Sequence, residues 1–166
     1  MKKRILAAIL CFVMVISNVP AMPLFAADNG NSHQFVWDRD GIDAGAEYLI
    51  VSASSGTANA LRINPSSVNK EYSQNVTINN GVILAFDNDA MCTFKFTNAS
   101  TGAVMNGNYY LHVRSGPKFD DTTPGTNSRL SFAHFNNGSY GIYTGGGFLS
   151  TLYYLEYENG EWKTSS

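Results

Sequence analysis

The chain has almost no cysteine. Of its two, Cys11 sits in an apolar N-terminal run and Cys92 stands alone in the remainder. With the N-terminal run gone, no intrachain disulfide can form, and no paired-cysteine zinc site can be built. Cys92 lies in "MCTFKF", a strand-like run, which favours a buried and inert thiol. Sustained helical periodicity is also missing, so helical bundles and α/β folds are excluded. No Gly-x-Ser-x-Gly elbow is present to support a serine hydrolase. No glycine-rich loop joins a strand to a helix, so nucleotide binding has no support. "TGGGF" (144–148) is rich in glycine, but it lies between strands. His33, His112 and His134 fall on separate strands, without His-x-x-x-His spacing for zinc. Together these gaps leave no catalytic set, and the expectation is a protein that is not an enzyme.

The one long apolar run is at the start. Lys2, Lys3 and Arg4 precede Ile5–Ile16, and small residues follow at Ala26 and Ala27. That order is the pattern of a secretory leader, and the run is short for a membrane span, which takes about 20 residues. Residues 1–27 are therefore read as a signal peptide, removed on export, with no membrane span left afterwards. Phe25 fits poorly at the −3 position of this cut, which can shift by a residue or two. The remaining 139 of 166 residues make one domain by length, 28–166. Three of the 11 basic residues leave with the leader, so 8 face 13 acidic ones, a net charge of −5. Such a surface repels phosphate backbones, and nucleic acid is not an expected partner. Export without disulfides suits a bacterial route better than an animal one.

What is abundant is β-forming sequence. Aromatic and β-branched runs bounded by Gly, Asn, Asp and Ser predict strands at 33–37, 47–53, 60–63, 75–78, 82–86, 92–97, 109–114, 130–135, 139–144, 152–158 and 161–164. Asn-Gly pairs occur at Asn80–Gly81, Asn106–Gly107, Asn137–Gly138 and Asn159–Gly160. Asn and Gly best tolerate the positive φ of a type I′ turn. The first, third and fourth pairs, closely flanked by strand-like runs, predict hairpins. Residues 64–74 and 115–129 read as surface loops. "EYLIV", "YYLHV" and "YYLEY" share a Tyr-Leu core around Tyr48, Tyr110 and Tyr154, which suggests three irregular units. Three units suit a β-trefoil-like barrel of antiparallel hairpins, with a β-sandwich as the alternative. The chain ends on "EWKT" without a following partner, so that strand lies at an edge or the chain is a fragment of a longer one.

Asp38, Asp40 and Asp43 surround Gly41, with Glu47 beyond. In an EF-type loop of about twelve residues with Gly41 sixth, Asp38 is third, Asp40 fifth and Glu47 twelfth. The first position is Val36, however, the eighth is Asp43, and the flanks are strands rather than helices. A turn is the simpler reading, with calcium held by Asp38, Asp40 and Asp43 as the alternative. Asp87–Asn88–Asp89 and Asp120–Asp121 are two further acidic turns. No cofactor is expected beyond that possible calcium.

On "LYYLEYE", Tyr153, Leu155 and Tyr157 share one face, and Trp162 lies across the Asn159–Gly160 turn. Tyr153, Tyr157 and Trp162 are the candidate ligand-binding residues, because aromatic rings stack on sugar faces while amides bond hydroxyls. Core and cross-strand packing is the competing reading for each. Trp37, Phe94 and Phe96 are core candidates.

The leader, "WDRDGIDAGAEYLIVSASSGTANAL", "NGNYYLHVRSG" and "YYLEYENGEWKTSS" together resemble a β-rich module of large secreted or wall-associated proteins of gut Firmicutes. The resemblance implies an extracellular, non-catalytic module that often sits beside other domains. The β-trefoil lectins are a looser comparison, and their Gln-x-Trp signature is absent. The expectation is a secreted or cell-surface binding module for a glycan or for a host or wall surface polymer. A spacer or adhesin domain without a small ligand is the alternative. A glycoside hydrolase using Asp38 or Asp40 is the second.

Overall fold

A computed structural model describes residues 22–27, 34–54, 57–63, 72–114, 117–120, 128–145 and 151–166. These residues form fifteen strands and one short 3-10 turn, Asp89–Met91. The strands are β1 (Met22–Ala27), β2 (Gln34–Asp38), β3 (Glu47–Ser54), β4 (Thr57–Leu61), β5 (Ser73–Val76), β6 (Val82–Leu84), β7 (Thr93–Phe96) and β8 (Thr101–Gly102). They continue as β9 (Val104–Asn106), β10 (Tyr109–His112), β11 (Lys118–Asp120), β12 (Leu130–His134), β13 (Ser139–Thr144), β14 (Tyr153–Glu158) and β15 (Glu161–Ser165). The protein is all-β, and its ladders are antiparallel. No helix among the described residues is long and apolar enough to cross a membrane.

The ladder runs β11-β10-β9-β7-β3-β1-β13-β12-β8 and does not close on itself. β2 and β6 branch from β1, β4 and β5 from β3, and β14 and β15 from β13. β15 pairs with β14 alone among the described strands. Alternation along β3 shows why two cores form. Tyr48 and Ile50 point into a large cluster with Phe94, Phe96, Leu111, Phe132, Ile142, Leu155 and Trp162. Leu49 and Val51 point the other way, into a smaller cluster with Phe35, Ala58, Ala60, Ile83 and Cys92. The large cluster draws on β1, β3, β7 and β10 and also on β12 to β15. Phe96 meets Phe132 across it, edge to face, at 4.9 Å. Phe94 and Phe96 are fully buried, and Trp37 is half-buried against the smaller cluster.

The Asn-Gly turns sort by geometry. Asn159 and Gly160 both take positive φ, 54° and 90°, and Glu158 faces Glu161 across them. That is the two-residue type I′ hairpin the sequence predicts. Asn137–Gly138 also closes a hairpin, β12 to β13, but only Gly138 has positive φ, at 79°. Asn80–Gly81 forms a tight turn over the Asn79–Val82 bridge. The expected hairpin stops there, because β5 leaves to pair with β4 and β6 to pair with β2. A hairpin the sequence did not predict joins β9 to β10, with Gly107 at φ 56° between Asn106 and its partner Tyr109.

Two loop expectations change. Lys118–Asp120 lies within the predicted loop 115–129 but pairs with β10 as β11. Phe119 is the cause: its ring stacks on Phe94 at 5.5 Å, which draws the segment onto the core. The loop predicted at 64–74 already contains strand residues Ser73 and Gln74, and its residues 64–71 lie outside the described set. Most of "TGGGF", residues 146–148, and Asp121 lie outside it too. The segment Met22–Ala27, read as the end of the leader, forms β1 in the middle of the ladder.

Candidate functional site

The acidic turn is held by its own hydrogen bonds. Asp38 Oδ1 accepts the backbone N–H of Asp40 at 2.9 Å and of Gly41 at 3.4 Å. Its Oδ2 accepts the Tyr48 hydroxyl at 3.2 Å, and that hydroxyl accepts the Asp43 N–H at 2.8 Å. This is an Asx-type turn. Burial pushes the Tyr48 phenol up to about 12, and the nearby Asp38 carboxylate adds to the shift. Tyr140 is raised to about 12 as well, first by burial and then by Asp38. Asp40 and Asp43 are exposed. Among the described residues, no group of three His, Cys, Asp or Glu side chains converges to hold a metal. Asn88, in the second acidic turn, takes φ 65° and leads into the 3-10 turn.

The aromatic candidates divide. The β14–β15 register places Tyr157 directly opposite Trp162, and their rings meet edge to face at 5.3 Å. Tyr153 packs against the core one end further along β14, with the Arg114 guanidinium 5.8 Å from its ring centre. Trp162 is 5% exposed and belongs to the large core, so most of its ring is packing surface.

Tyr157 and Trp162 form one wall of a cleft of about 680 Å³. The opposite wall comes from β4 and β5: Asn59, Ser73, Gln74 and Asn75, with Arg62 and Tyr72 at its end. Tyr153 does not border it. Asn59 and Asn75 are direct cross-strand partners and share a face. Asn59 is nearly buried, and the Ser73 hydroxyl donates to its Oδ1 at 3.4 Å. Two residues that line the cleft, one on each wall, carry a buried and unsatisfied donor. The Trp162 indole N–H and the Arg62 Nε–H are buried and have no hydrogen-bond partner among the described residues. A buried donor left unpaired costs about 1–3 kcal/mol, so such groups usually meet something. Amides, a guanidinium and two aromatic rings thus converge on one concave surface. Sequence alone could not find the Asn59, Arg62, Gln74 and Asn75 wall, because those residues are distant in the chain and carry no motif.

Cys92 is fully buried, and burial pushes its thiol up to about 12. It is therefore a packing residue rather than a nucleophile. His112 is buried on β10, and His134 stacks on Tyr140 at 4.7 Å. The chain matches no known family, no curated protein and no solved structure.

Proposed function

We propose that this protein is an exported, non-catalytic module that binds a glycan or a polyhydroxylated surface polymer in the Asn59–Trp162 cleft. The observation that carries the reading is the lining of that cleft, where Tyr157 and Trp162 stand across from Asn59, Gln74 and Asn75. A sugar complements that lining: its hydroxyls give and accept hydrogen bonds with the side-chain amides, and its apolar ring face suits Tyr157. Of the residues named from sequence, Tyr157 and Trp162 take part directly, and Tyr153 supports β14 from outside the cleft. The leader pattern and the acidic, disulfide-free composition support a secreted or cell-surface setting. The likeness to modules of wall-associated Firmicutes proteins points the same way.

The scaffold is best read as a β-sandwich built around the large core, since that core draws on two groups of strands and the ladder is open. The trefoil-like alternative keeps one support: Tyr48, Tyr110 and Tyr154 all fall on strands, β3, β10 and β14. Calcium at Asp38, Asp40 and Asp43 is a weaker reading, because both Asp38 oxygens already serve the turn.

A glycan array probed with the secreted protein, with calcium and again with a chelator, tests this proposal. Reproducible hits that survive chelation are expected. Hits lost on chelation would move the site to the acidic turn. A blank array from folded protein would leave the spacer or adhesin reading.

A further inference from the structure

β1 conflicts with a leader that ends at Ala27. Its side chains Met22 and Leu24 are 2% and 0% exposed, inside the large core with Tyr48, Ile50 and Tyr140. Its backbone is paired on both sides. Leu24–Ala27 pair with Asp38–Phe35 of β2, and Leu24–Ala26 with Ile50–Tyr48 of β3. Met22 and Pro23 carry the ladder on to Tyr140 and Ser139 of β13. Removing residues 22–27 would leave β2 and β3 facing each other across a gap of roughly 9–10 Å, two strand spacings. Both strands would present unpaired N–H and C=O groups along it, and Tyr48, Ile50 and Tyr140 would lose cover. A cut after Ala27 therefore deletes the centre of the fold.

The sequence offers another cut. Val19-Pro20-Ala21 puts compact side chains at −3 and −1, whereas a cut after Ala27 puts Phe25 at −3. We propose that the leader is removed between Ala21 and Met22, so that β1 is the N-terminal strand of the mature protein. The step is hydrolysis by a leader-removing protease. The Ala21–Met22 amide bond breaks, water supplies hydroxyl to the Ala21 carbonyl carbon, and its proton goes to the new Met22 amine. In the β1–β2 register Asp38 pairs with Leu24, two residues inside the new N-terminus, and Met22 itself pairs with Tyr140 of β13. The inference rests on the export reading but not on the cleft.

The test is N-terminal sequencing and intact mass of the protein released by a bacterial host expressing the full chain. A mature N-terminus at Met22 is expected, and Ala21→Arg should leave the precursor unprocessed. A second readout follows the strand itself. Leu24→Ala should lower the unfolding midpoint of the released protein by about 10 °C, because Leu24 is a core residue of what remains. A folded product that starts at Asp28, with a midpoint indifferent to Leu24→Ala, would overturn the inference while leaving export intact. A chain retained in the cell with Met1 and residues 2–21 attached would overturn the export reading, and this inference with it.

Discussion

Single side chains in this protein are committed to packing before they are available for chemistry. Cys92 shows it most plainly. Its thiol is fully buried and raised to about 12, so a thiol reagent at neutral pH should label it only at the rate at which the protein opens. Labelling that matches a free thiol in the native state would refute this placement. Tyr48 is the counterpart on the polar side. Its hydroxyl links Asp38 to the Asp43 N–H, and Tyr48→Phe leaves that N–H without its acceptor. The expected loss is about 1–3 kcal/mol in a denaturant titration. Cys92, Tyr48 and Tyr140 share a pH signature. Each has a folded pKa above its unfolded value, so the native state holds its protons more tightly. Their contribution is complete below the unfolded values, about 9 for the thiol and 10 for the phenols, and is lost as pH rises toward 12. Stability should therefore fall between about pH 9 and 12, and ultraviolet titration should find two of the nine tyrosines ionising last.

At the scale of elements, the turns discriminate between positions that look alike in sequence. Gly160 holds φ 90° in open space, so Gly160→Ala should cost about 1–2 kcal/mol, from backbone strain alone. Gly145 holds φ 99°, and a Cβ there would press into the Thr151 carbonyl oxygen. Gly145→Ala should therefore cost clearly more, and equal midpoints for the two variants would contradict the placement of Thr151. The Asn159–Gly160 hairpin was legible because its information is local: two residues fix the turn, and the turn fixes that Tyr157 faces Trp162. The predicted strands were legible for the same reason, since β-branched and aromatic runs mark them. β1 was not legible, because "MPLFAA" follows the apolar leader and contains no β-branched residue. β11 was hidden in a polar stretch, where one ring, Phe119, outweighs its neighbours. The divergence of β5 and β6 after Asn80–Gly81 depends on partners in β4 and β2, which no local pattern specifies.

At the scale of the whole molecule, the large core draws side chains from β1, β3, β7 and β10 and from β12 to β15, and the β14–β15 hairpin shares a cleft with β4 and β5. Of the residues lining that cleft, Tyr157 and Trp162 were named from sequence. Asn59, Arg62, Gln74 and Asn75 join them only once distant strands meet. The central claim is that this cleft binds a polyhydroxylated ligand. Its most direct test is the array signal of an Asn75→Ala/Tyr157→Leu variant beside that of the unaltered protein. Asn75 is exposed and leucine keeps apolar cover over the core, so the variant should stay folded. The account predicts at least about a tenfold loss of every hit, the effect of roughly 1.4 kcal/mol of lost contact. Unchanged hits from a folded variant would place binding elsewhere on the molecule and contradict the account.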